Sequence, residues 1–109
     1  ISIGTTQGIT VLSGCAHSGI LNTLNAVSAF HGHNNINCYF GGTHLPDSRG
    51  GRNYETAEEI CSIACHLKAN FAEMNLVTSH CTGNKAKDIF KDVLKNRFDT
   101  FFCGYSIEL

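Results

Sequence analysis

The chain alternates between short β-branched runs and longer stretches in which apolar residues recur every three or four positions. Ile1 to Ile3 and Ile9 to Ser13 are two such runs separated by Gly4-Thr5-Thr6-Gln7-Gly8, which predicts a hairpin. Ser18 predicts the cap of a helix from about Gly19 to Phe30, with Ile20, Leu21, Leu24, Val27 and Ala29 as its apolar stripe. His31 to Asn35 ends that helix, and Ile36 to Gly41 reads as a buried strand. Pro46 through Asn53 is the most loop-like stretch. Thr56 and Glu59 have the spacing of a capping box, in which each side chain satisfies a free backbone N–H of the first turn. They open a second helix whose inner face carries Ile60, Ile63, Ala64 and Leu67. Met74 to Thr78 is the next strand, and Asn84 to Lys95 a third helix with Ile89, Phe90, Val93 and Leu94 apolar. Phe98 to Cys103 and Tyr105 to Leu109 read as terminal strands hinged at Gly104. The expected order, ββαβαβαββ, is that of an α/β layer with helices packed on a largely buried sheet.

Composition narrows the classes of partner. With 109 residues and a formal net charge of −1, the chain reads as one domain with no basic surface for nucleic acid or an anionic membrane. No apolar run approaches the ~20 residues that span a bilayer, and the start lacks the features of a signal peptide. The absence of an initiator methionine points to a piece of a longer chain. Six cysteines would suit a disulfide scaffold, but Cys61 and Cys65 lie one helical turn apart, and Cys38 and Cys103 sit in strand-like runs. A reducing, cytoplasmic setting is expected.

The candidate chemistry lies where strands end. Gly14-Cys15-Ala16-His17-Ser18-Gly19, Gly41-Gly42-Thr43-His44-Leu45 and Ser79-His80-Cys81-Thr82-Gly83 each place a histidine between a strand and a helix or loop. In parallel α/β sheets ligands bind at the carboxyl edge, and histidine is the commonest metal ligand. His17 and His80 are the strongest candidates, against the alternative that their rings merely brace the turns. His44 is a weaker one, and His31, His33 and His66 read as surface positions. Helix starts favour anions, and Lys85 in the first turn after His80 is expected to face an anionic substrate, against the commoner solvated lysine. Cys15 and Cys81 flank the favoured histidines, but the nearest short cysteine pair, Cys61-x3-Cys65, lies too far along its helix from the strand ends, so a structural zinc knuckle is not expected. A thiol nucleophile with a histidine base stays open at Cys15/His17 or His80/Cys81, although neighbours in sequence rarely form such a dyad.

The strings Gly14-Cys15-Ala16-His17-Ser18-Gly19-Ile20, Gly41-Gly42-Thr43-His44-Leu45 and His80-Cys81-Thr82-Gly83, in this order, resemble the C-terminal half of metallo-β-lactamase-fold hydrolases. They are most similar to the dihydropterin-ribofuranosyl-aminobenzene-phosphate synthase-like branch. The resemblance implies a four-layer αββα sandwich, of which residues 1–109 would be the C-terminal half. It implies His17 and His80 as ligands of a divalent metal, zinc first, with iron or manganese as alternatives. His44 would line the pocket or coordinate, and either Cys15 or His17 would fill the ligand place at the first junction. Ser79, Thr82 and Lys85 would orient a small anionic or phosphorylated substrate. Two features depart from the pattern: an HxHxDH motif is absent, and Thr43 stands where the branch has an aromatic residue. The N-terminal half of the domain is therefore an expected partner, without which metal binding and catalysis should be weak. The competing reading is a non-catalytic α/β binding domain that keeps the scaffold.

Overall fold

In the computed structural model, which describes residues 1–108, the β-branched runs pair as expected. β1 (Ser2–Thr5) and β2 (Gly8–Leu12) form the antiparallel hairpin. β3 (Ile36–Phe40), β4 (Asn75–Val77) and β5 (Phe98–Asp99) then add in chain order, each parallel to the one before. The helices α1 (Ile20–His31), α2 (Ala57–Asn70) and α3 (Asn84–Leu94) are the crossovers between successive parallel strands. The loops that lead from strand to helix therefore all leave the carboxyl edge of the sheet.

Local chemistry explains where the helices start and stop. At α2 the capping box forms in full: Glu59 N donates to Thr56 Oγ1 at 3.2 Å, and Thr56 N donates to Glu59 Oε2 at 2.8 Å. At α1 the cap is Gly19, with φ 89°, rather than Ser18. The positive φ bends the chain sharply out of the first junction, a conformation that glycine adopts far more cheaply than serine. Gly32, left-handed at φ 74°, closes the same helix.

A right-handed crossover between neighbouring parallel strands puts its helix on the same face each time. Residues of all three helices accordingly meet in one apolar cluster. Ile20 and Leu24 of α1, Ile60, Ala64 and Leu67 of α2, and Ala86, Phe90 and Leu94 of α3 pack against Ile9, Val11, Ile36, Tyr39 and Leu76 of the sheet.

Of the two expected terminal strands, the first forms only at its start and the second does not form over its described residues. Only Phe98–Asp99 pairs with β4; residues 100–108 carry no strand, and Leu109 lies outside the described residues. Phe101 and Tyr105 of this tail lie over the second face of the sheet instead. Phe101 stacks on Phe40 with ring centroids 4.5 Å apart, and the Tyr105 ring lies 6.0 Å from Phe40. The Tyr105 hydroxyl donates to Asp99 Oδ2 at 2.9 Å, which pins the turn around Gly104. Phe40 alternates with the core residue Tyr39, so it faces away from the helices. Among the described residues no helix is long and apolar enough to cross a membrane.

Phe90 is fully buried between the helices and the sheet. Phe90→Ala should lower the unfolding free energy by about 3–5 kcal/mol and Thr56→Ala by about 1 kcal/mol, read as shifts in urea midpoint. Equal effects of the two substitutions would contradict the placement of the core.

Candidate functional site

The three strand-end loops are bonded to one another before any side chain is considered. Ser13 N donates to Phe40 O at 3.0 Å and Gly41 N to Val77 O at 3.1 Å, carrying the ladder past the strands. Gly42 N donates to Gly14 O at 2.7 Å, while Leu45 N bonds Cys81 O and Gly83 N bonds Leu45 O at 3.0 and 2.9 Å. A Cβ on Gly42 would lie 2.7 Å from His80 O and 2.9 Å from Gly14 O, and one on Gly41 would collide with the Ser13 carbonyl. Glycine at both places lets the first and third loops close upon the second. Each loop also holds one non-glycine residue in the left-handed region: Ala16 at φ 55°, His44 at 53° and Cys81 at 52°. Such conformations cost free energy and persist where the surroundings impose them, commonly at functional sites.

This backbone brings together Cys15, His80 and Cys81. Cys15 Sγ lies 2.9 Å from His80 Nε2 and 3.6 Å from Cys81 Sγ, and the three ligand atoms fall within 4.8 Å of one another. Both cysteines are half-buried and His80 is exposed. Burial, then the contact with Cys15, pushes the Cys81 thiol above its ordinary pKa. Two sulfurs and an imidazole are the donors that borderline-soft ions such as zinc take, so the set fits a divalent transition metal.

His17 is stacked on His44, ring centroids 4.3 Å apart and planes inclined by 25°. Both rings line a cleft of about 370 Å³ beside the start of α1, together with Asn22, Glu55 and Ile63. His44 Nδ1 and Glu55 Oε2 are buried there with no hydrogen-bond partner among the described residues. The sequence candidates thus form two groups, His80 with Cys15 and His17 with His44. Cys81, weighed from sequence beside His80 as a candidate thiol, joins the first group through its 3.6 Å contact with Cys15.

Of the residues expected to orient substrate, Thr82 and Lys85 have side-chain partners within the fold. The Thr82 hydroxyl is buried, 2.9 Å from Thr43 Oγ1 and 2.7 Å from Thr78 Oγ1, and donates to His80 O at 3.2 Å. The half-buried Ser79 accepts from Thr82 N at 3.2 Å through its carbonyl. Lys85 Nζ donates to Glu55 O at 2.9 Å and so braces the start of α2. The N-terminus of α3 already holds an anion, because Asp47 accepts from Asn84 N at 2.9 Å and Lys85 N at 3.1 Å. Those two N–H donors, helped by the charges of Lys85 and Arg49, hold the Asp47 carboxyl below its ordinary pKa. A second pocket, of about 500 Å³, opens beside it between the loop after Pro46 and Cys81.

Comparison with known proteins extends the resemblance over nearly the whole chain. No family model matches. The chain is 28% identical over 108 residues to the 7,8-dihydropterin-6-methyl-4-(β-D-ribofuranosyl)-aminobenzene-5'-phosphate synthase of Methanocaldococcus jannaschii, covering 99% of this chain and 34% of that protein. The crystal structure of a metal-dependent hydrolase of the β-lactamase superfamily superposes with a TM-score of 0.79 and 29% identity, over 99% of this chain and 39% of that one. The chain spans about a third of the curated relative's length. Its mixed α/β fold, a five-stranded sheet with three helices among the described residues, is that of part of a β-lactamase-superfamily domain.

Thr82→Val would leave the Thr43 and Thr78 hydroxyls without their shared partner and should cost about 1–3 kcal/mol in chemical denaturation, with Thr82→Ser close to wild type. Asp47 ties the stability of the α3 start to pH. Its lowered pKa means that the fold favours the carboxylate, so the stabilisation is fully present above the unfolded range near ~3.9 and fades as pH falls through the folded value. Asp47→Ala should therefore be less stable than wild type at neutral pH, with the gap closing in acid. A gap that persists unchanged below the folded pKa would contradict the cap.

Proposed function

We propose that this chain carries part of the metal-holding edge of a metal-dependent hydrolase of the metallo-β-lactamase superfamily, acting on a small anionic substrate. The observation that carries the reading is the convergence of Cys15, His80 and Cys81 from two strand ends. It is supported by the likeness in sequence and fold to a metal-dependent hydrolase of that superfamily. The two sulfurs favour zinc, with iron next; manganese, which prefers oxygen ligands, suits the set least. Bound zinc would lower the pKa of a water toward ~7 and polarise a carbonyl or phosphoryl group.

The chain's own residues hold that centre in place. Gly42 lets the loops of Cys15 and His80 touch, and the Thr43-Thr82-Thr78 hydroxyls fix the loop that presents His80. His17 and His44 line the adjoining cleft at the same edge and offer further imidazoles. The remaining ligands belong, in this reading, to the rest of the domain. That part would pack over the tail on this side of the sheet, where Phe102 is 70% exposed. The six free thiols suit a reducing, cytoplasmic compartment.

One contact favours a second reading. Cys15 Sγ at 2.9 Å from His80 Nε2 has the separation of a thiol and its base, which would make Cys15 a nucleophile. Cobalt(II) substitution of the full chain separates the two. The metal reading expects a thiolate-to-cobalt charge-transfer band that Cys15→Ser and Cys81→Ser weaken, stoichiometric zinc that His80→Ala makes substoichiometric, and turnover abolished by chelators. Turnover that survives chelation but is abolished by alkylating Cys15 would replace it with the thiol reading.

A further inference from the structure

The pocket beside Cys81 has walls of unusual charge. Arg52 N donates to Arg49 O at 3.1 Å, and the two arginines face each other as an antiparallel bridge. Gly50 and Gly51, at φ 59° and 74°, make the turn between them. Two successive positive φ values are the mark of the tight hairpin turn that suits right-twisted strands. Residues directly opposite in such a pair project from the same face, and like charges placed there repel. Both arginines line the pocket of about 500 Å³, together with Asp47, Tyr54, Cys81 and Thr82.

The other cationic and anion-binding groups nearby are occupied. The Lys85 ammonium bonds the Glu55 carbonyl, and the free N–H groups of α3 bond Asp47. Asp47 is the one carboxylate lining the pocket, and its oxygens are turned to those N–H groups. Neither guanidinium meets a carboxylate at ion-pair distance among the described residues. A like-charged pair on one face of a hairpin, open to a cavity, is stabilised by an anion that bridges it.

We propose that this pocket recognises the phosphate end of a phosphorylated small molecule, with Arg49 and Arg52 clamping the phosphate. The guanidinium fork matches phosphate oxygens two at a time, and two forks suit a dianion better than a single carboxylate. The volume exceeds what a phosphate alone needs and falls in the range of small-molecule sites, so the body of the ligand also fits. Cys81 is shared between this pocket and the Cys15-His80-Cys81 group, so a ligand held by its phosphate extends toward the proposed metal edge. The proposal rests on the metal reading only for what happens to the ligand there; phosphate capture by the two arginines needs no metal.

The test uses the full chain with phenyl phosphate as probe, phenol as its phosphate-free counterpart, and zinc titrated separately. Phenyl phosphate should bind and shift the amide resonances of Gly50 and Gly51, while phenol should not. Arg49→Gln/Arg52→Gln should weaken phenyl phosphate by roughly tenfold or more while zinc affinity stays at the wild-type value. Arg49→Lys, which keeps the charge but loses the fork, should fall between the two and guards against a double variant that fails to fold. Unchanged phenyl phosphate affinity in the double variant, or phenol binding as well as the phosphate, would overturn the proposal. Loss of zinc binding without loss of phenyl phosphate binding in Cys15→Ser would leave it standing, because that outcome concerns the metal alone.

Discussion

Everything at this edge depends on backbone meeting backbone at Gly41 and Gly42. A parallel sheet brings all its strand ends to one side, but it also separates neighbouring strands by close to 5 Å. Side chains on adjacent loops reach a common point only where something lets the loops lean together. Here that is the absence of two Cβ atoms: Gly42 sits against the carbonyls of His80 and Gly14, and Gly41 against that of Ser13. Any side chain at Gly42 must push the first loop away from the third, and with it Cys15 from His80.

The closeness carries a conformational cost, and the surrounding bonds hold it. Ala16, His44 and Cys81 occupy left-handed backbone, one in each loop. Opposing that cost are the loop-to-loop hydrogen bonds and three buried threonine hydroxyls that satisfy one another. Beneath them the apolar cluster of three helices and the sheet supplies a rigid floor. Chemistry-bearing side chains therefore stand on irregular backbone whose freedom has been removed by its neighbours.

Charge is distributed by the same logic. The start of α3 would attract a free anion, but Asp47 reaches it from the loop after Leu45 and fills it. Lys85, the cation nearest that point in sequence, is drawn to a carbonyl instead. What stays open is the arginine pair on the small hairpin, distant in sequence from Cys81 and Thr82, with which it lines a pocket. In the proposed reading, anion recognition thus moves from a helix terminus, where sequence suggests it, to a loop.

The amino-acid sequence by itself determined the elements: the hairpin, the capping box at Thr56 and Glu59, the apolar stripes of the helices, and the three histidine-bearing junctions. Those signals are local, set by periodicity and by bonds between residues three or four apart. It failed at the tail, where apolar residues suited to a strand cover Phe40, because pairing and covering demand the same residue types. It also left the site's membership open. That Cys15 meets His80 and Cys81, that His17 stacks on His44, and that Thr82 and Lys85 turn inward were decided by tertiary structure alone. Most of these contacts join residues far apart in the chain, and the meeting of Cys15 with His80 depends on a glycine that lets their loops approach within bonding distance.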